Sequence, residues 1–144
     1  MTSLLASEMS QGRIILAGAR SAAGQIPEQT MIYDHRTYRC RPGTLQRQLQ
    51  LYAEHGWAIQ RRHLGEPLLF AATETGDVNS YIHIWVYESA ADREQKRAGL
   101  QQDPEWTGYL QKSAEAGNLI SQTNAILKSA PFFAPSVQPL QAQG

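Results

Sequence analysis

The segment Tyr81-Ile-His-Ile-Trp-Val-Tyr-Glu88 constrains the fold more than any other part of the chain. Side chains alternate across a strand at period two, so Tyr81, His83, Trp85 and Tyr87 point one way and Ile82, Ile84 and Val86 the other. Both faces need cover, and they differ in kind. The aliphatic trio is expected beneath helices. The aromatic face would then stand open in a monomer, a patch that soluble monomers rarely leave uncovered. A two-fold dimer packing two such sheets face to face would bury it and enclose a pocket between them. A homodimer is the predicted assembly.

The flanking segments supply the rest of the architecture. Ile32 to Arg39 is rich in β-formers and free of Gly and Pro, which reads as a strand; Arg41-Pro42-Gly43 breaks it. From Thr44, the expected N-cap, Leu45, Leu49, Tyr52, Ala53 and Ile59 form one helical stripe running to about His63. Gly65-Glu66-Pro67 closes that helix, and Leu68 to Thr73 is a short strand ended by Gly76-Asp77. Ser89 with Asp92 has the form of a helix start, and the helix should reach about Leu100. Asp103-Pro104 restarts helix, which Gly117 ends. Leu119 to Leu127 is the last strand. This order predicts an α+β, ferredoxin-like βαββαβ fold: a four-stranded antiparallel sheet with the helices on one face.

The 144 residues leave room for one ordinary domain. Thirteen Lys+Arg balance thirteen Asp+Glu, so there is no basic surplus for nucleic acid, and no apolar run approaches the roughly 18 residues of a membrane span. A lone cysteine, Cys40, forms no internal disulfide and fits a reducing, cytoplasmic setting. No cofactor or metal is called for, because His35, His55, His63 and His83 lack a metal-ligand spacing. All aromatic residues and histidines follow Thr30. Residues 1–30 are therefore expected to be a poorly ordered extension and 31–128 the domain. The uncharged tail 129–144, with prolines at 131, 135 and 139, should be irregular and lay Phe132 and Phe133 on a neighbouring surface.

Four motifs in series carry a family resemblance. They are Met31-Ile-Tyr-Asp-His-Arg-Thr-Tyr-Arg39 leading into Pro42-Gly43; Gln60-Arg-Arg-His-Leu-Gly65; His83-Ile-Trp-Val-Tyr-Glu-Ser89 with Ala91-Asp-Arg-Glu94; and Asp103-Pro-Glu-Trp106. Over about residues 31 to 128 the chain resembles a NIPSNAP domain. The resemblance implies a dimeric α+β barrel with no established activity and no agreed catalytic residues. It also implies two departures: Glu is usual where Asp34 stands, and an aliphatic residue where His35 stands.

His83 is the candidate acid or base near neutral pH; the alternative is a histidine hydrogen-bonded for structure alone, since no partner group can be placed beside it from sequence. The ligand-lining candidates are Arg36 and Tyr38, Tyr81, His83, Trp85 and Tyr87, and Gln122 and Asn124. Arg36 suits a carboxylate or phosphate through bidentate bonds, or else an ion pair with Asp34, Glu88 or a partner subunit. Arg61-Arg62-His63 reads as helix-end cations or an anion site. Arg39 and Arg41 would lower the Cys40 thiol pKa, unless Cys40 is simply buried. The reading is a NIPSNAP-type small dimeric protein of unestablished activity that binds a small apolar or aromatic molecule between its sheets, or serves as an interaction module. The competing reading is a cofactor-free monooxygenase- or isomerase-like enzyme of the dimeric α+β barrel type using His83.

Overall fold

The computed structural model describes residues 30–134 and 139–140; apart from Thr30, the predicted extension lies outside the described residues. Strand β1 (Ile32–Cys40) leads into helices α1 (Leu45–His55) and α2 (Trp57–Leu64), then strands β2 (Leu69–Ala72) and β3 (Ser80–Tyr87). Helices α3 (Ala90–Gln102) and α4 (Pro104–Ala116) and strand β4 (Leu119–Leu127) complete the chain's regular structure. The sheet is antiparallel in the order β2-β3-β1-β4, with Arg36 facing His83 on one side and Asn124 on the other. The expected α+β class, strands and turns are present.

The local causes are mostly those of the sequence, with three differences. Ser89 accepts from the Asp92 N–H, and Asp103 accepts from the Glu105 N–H with Pro104 in the first turn, as caps should. Thr44 does not cap: its hydroxyl donates to the Arg41 carbonyl at 2.8 Å. The single predicted helix is two, because the chain bends at Gly56. A Cβ there would meet the Tyr52 ring at 3.0 Å and the Tyr109 ring at 3.2 Å, so glycine lets α4 press its tyrosine into the bend without displacing either ring. The inward stripe also differs. Gln48 and Gln60 are buried, whereas Ala53 is exposed and Leu45 and Leu49 are half-buried. Gln48 is held there by Ser113 and Asn118, at 3.2 and 3.3 Å, which satisfies a buried amide.

The expected assignment of the two sheet faces is reversed. Trp85 and Tyr87 are fully buried in the main core with Ile32, Tyr52, Ile59, Leu64, Leu100, Trp106 and Tyr109. The aromatic face therefore lies beneath the helices. Ile82 and Ile84 are half-buried on the opposite face, beside a small cluster of Met31, Tyr33 and Val86. Volume explains the choice: four large rings fill the space under four helices, where three aliphatic side chains would leave voids. β4 is the exception to helical cover. Ile120, Gln122, Asn124 and Ile126 are all exposed.

Two glycines of the α4 hairpin should respond oppositely to alanine. Gly108 lies within α4, and a Cβ added there would meet only open space, so Gly108→Ala should raise stability by about 0.5–1 kcal/mol. Gly117 ends α4 at φ +62°, a left-handed conformation costing a side chain about 1 kcal/mol or more. Gly117→Ala should lower stability by that amount, as urea denaturation midpoints will show.

Candidate functional site

A cavity of about 300 Å³ opens between the sheet and the helices. Its floor is Arg36 and Tyr38 of β1 with Tyr81 and His83 of β3, and Gln122 of β4 forms one side. Tyr52 and Gln60 come from the first helical pair, Arg97 from α3, and Trp106, Tyr109 and Ser113 from α4. The sequence-predicted Arg36, Tyr38, Tyr81, His83 and Gln122 thus line one cavity, within a single chain and beneath its helices. Trp85 and Tyr87 lie in the core behind the cavity. Asn124 reaches the buried acid below it, its amide 3.5 Å from Asp34.

The floor is a stack of rings. Phe70 lies over His83 at 4.8 Å, His83 over Tyr38 at 5.0 Å and Tyr38 over Tyr81 at 4.9 Å, each pair within 10° of parallel. Cross-strand pairing puts these residues side by side. Tyr52 extends the stack from above, 4.9 Å from Phe70. Burial raises the hydroxyl pKa of Tyr52 and Tyr81, so both stay neutral.

His83 is 3% exposed. Burial, reinforced by the charge of Arg36, pushes its pKa down to about 3. The ring is neutral at pH 7. Its Nδ1 accepts a hydrogen bond from the Trp85 indole N–H, and indole is a donor only, so the ring proton sits on Nε2. His83, one of the residues lining the cavity, is therefore a hydrogen-bond donor through Nε2. A general base needs a free ring lone pair, and this one is occupied.

Below the stack lies Asp34, fully buried. Its Oδ2 accepts from Arg93 at 2.9 Å and from Arg36 at 3.2 Å. Burial pulls its pKa up, but Arg36 first and then Arg93 and Arg97 outweigh this and hold it below the ordinary carboxylate range. Arg36 spends its Nε on the Tyr38 hydroxyl at 3.0 Å. Its predicted ion pair with Asp34 is thus present, while that with Glu88 is not. Arg97 faces the cavity with its buried Nη1 unpartnered. It lies near Tyr87, pulling against the burial that pushes that hydroxyl up to about 12, and the hydroxyl has no other partner among the described residues.

The other candidates are occupied elsewhere. Arg61 pairs with Glu66, and Arg62 and His63 both pair with Asp103, at 2.8 and 2.7 Å. The helix end is an ion-pair network. Cys40 is buried and its thiol pKa is raised by burial, so of the two readings it is the simply buried cysteine; Arg39 turns instead to Asp77. No group of three potential ligands among the described residues is placed to hold a metal. The sequence reading missed Tyr52, Gln60, Arg97, Trp106 and Tyr109. The Tyr109–Trp106 spacing of three residues marks one helix face, but nothing local says what that face covers.

The NIPSNAP family model matches residues 33–134. The chain belongs to the NIPSNAP family. It is 31% identical over 108 residues to Protein NipSnap of Drosophila melanogaster, and 29% identical over 85 residues to the NipSnap homolog of Dictyostelium discoideum. These matches take in 73% and 59% of the chain, which spans only 37% of the length of either curated relative. Among solved structures, a NIPSNAP-like domain protein from Burkholderia xenovorans aligns at TM-score 0.71 and 34% identity, over 79% of this chain and 97% of its own. A NIPSNAP family protein of unknown function from Agrobacterium tumefaciens aligns at TM-score 0.67 and 35% identity, over 73% and 93%. A putative antibiotic biosynthesis monooxygenase from Nitrosomonas europaea, at TM-score 0.52 and 7% identity, over 74% and 96%, shares the fold alone. No activity is established by these NIPSNAP relatives.

The histidine makes the NIPSNAP fold acid-sensitive in a defined window. Unfolded, His83 takes up its proton near pH 6.5; folded, only near 3. The unfolded state binds more protons between those values, so stability falls as pH drops through the window, by at most about 1.4 kcal/mol per pH unit. Asp34, also depressed, adds loss only below its ordinary 3.8. Urea titrations between pH 7 and pH 4 should show the slope in the wild type and its loss in His83→Gln. An unchanged slope would assign the titration to another group.

Proposed function

We propose that this NIPSNAP protein is a homodimeric binding protein whose cavity, between the sheet and helices of each protomer, takes a compact apolar or aromatic molecule. The observation that carries the reading is the cavity itself. About 300 Å³ is roughly ten waters' share of liquid volume, room for one or two fused rings. Its walls are chiefly aromatic, with a few placed donors, as ligand sites usually are. The neutral, donor-only His83 suits recognition of an oxygen atom on the guest rather than proton abstraction from it.

The dimer follows from the other face of the sheet. Ile82 and Ile84 of β3 share it with Leu69 of β2 and with Leu127 of β4, the last two more than 40% exposed. A second copy laid sheet to sheet would cover this aliphatic surface.

Two measurements test the proposal. Native mass spectrometry of the purified protein, followed by extraction, is expected to show a small molecule that Tyr38→Ala or Trp106→Ala releases. A guest-free spectrum at full occupancy of the folded form would count against the cavity as a site. Light scattering should give twice the chain's 16.0 kDa, and Ile84→Asp should halve the mass without unfolding the chain. A wild-type monomer at micromolar concentration would remove the dimer from the proposal.

A further inference from the structure

Resting on the reading of the cavity as a small-molecule site, we infer that its guest is an aromatic carboxylate, the acid group held by Arg97 within reach of Arg36's field and the ring carried by the tyrosine-rich wall. The charges at the base of the cavity do not balance. Arg36, Arg93 and Arg97 surround a single buried acid, Asp34, and all three act on it. Arg36 is 7% exposed and committed to Asp34 and Tyr38. Arg93 binds the same Asp34 oxygen while its side chain keeps 27% exposure to solvent. Arg97 is left: it lines the cavity, forms no ion pair within 4 Å among the described residues, and carries a buried Nη1 with no acceptor. No Asp or Glu is among the residues that line the cavity.

Arg97 is half-buried, but a guanidinium nitrogen shut away from water without an acceptor is costly, and the group that relieves it is a planar anion offering two oxygens. Three arginines against one acid leave two charges unmatched, but only Arg97 lacks an ion-pair partner among the described residues, so one planar carboxylate on its guanidinium completes the site. The other donors agree with an oxygen-rich head. The His83 ring presents only an N–H on its free side, and Gln60 and Gln122 add amides to the wall. Beside them Tyr38 and Tyr81 line the floor and Trp106 the helical side, and these suit a flat apolar body.

Isothermal titration of the full chain with 1-naphthoate, with its uncharged isostere 1-naphthamide and with inorganic phosphate tests the assignment. Naphthoate is expected to bind about tenfold or more tighter than naphthamide. Arg97→Met should erase that difference by weakening naphthoate alone, and Arg97→Lys, which keeps the charge but not the fork, should fall between. Circular dichroism and melting confirm that each variant is folded, and Arg97→Lys keeps the test open should Arg97→Met not fold. Equal binding of the two naphthyl probes, or an Arg97→Lys protein that binds naphthoate as the wild type does, overturns the carboxylate and leaves the aromatic site standing. Phosphate binding as tightly as naphthoate overturns the aromatic carboxylate in favour of a bare anion site. Binding of none of the three overturns the cavity reading together with this inference.

Discussion

Asp34 sits where an acid is least at ease, fully buried between the sheet and the helical layer, and the arrangement around it depends on keeping it charged. A buried carboxylate without partners costs several kcal/mol, and removing one partner of a buried pair typically costs about 3–5 kcal/mol. The two arginines that meet it come from different layers, Arg36 from its own strand and Arg93 from α3 across the interface. The ion cluster therefore pins α3 onto the sheet. It also sets which face of β1 turns inward, since a one-residue slip would carry Asp34 and Arg36 to the open side.

Once that face is fixed, the site follows from strand pairing. Arg36 lies opposite His83, and Tyr38 opposite Tyr81, so the charged cluster and the ring stack share one floor. Burial, helped by the charge of Arg36, keeps His83 neutral. The Trp85 indole then uses the one lone pair a neutral imidazole has to offer. The fold is common to a putative monooxygenase, yet in this chain the histidine that would serve such chemistry as a base is configured as a donor. Fold likeness and site chemistry point in different directions, and function resides in the site.

How much of this was legible beforehand divides along physical lines. Strand and helix positions were readable because their causes are local: Ser89 and Asp103 as caps, Gly117 as a stop, alternation in β3. The residues of the cavity floor were readable for the same reason, since alternation groups Arg36 with Tyr38 and Tyr81 with His83. Which face the helices would choose was not. Both faces of β3 are apolar, and the decision rests on packing volume and on the buried cluster around Asp34, both of which need residues distant in sequence. Gln48 and Gln60 escaped notice because a polar residue on a helix face reads as solvent-facing until Ser113, Asn118 and Tyr52 are brought alongside. Arg97 was invisible as a site residue, one arginine among many on a polar helix. The NIPSNAP resemblance supplied the fold and left the chemistry of the cavity to its own residues.

The equality of thirteen bases and thirteen acids acquires a kinetic meaning once the arginines are located. With no net charge, the molecule exerts no long-range pull on an anion, and encounter proceeds at the unassisted rate of diffusion. For the proposed carboxylate guest, discrimination would wait until it had entered, where buffer ions screen poorly and Arg97 acts at short range. A site of that kind would distinguish its guests by how slowly they leave.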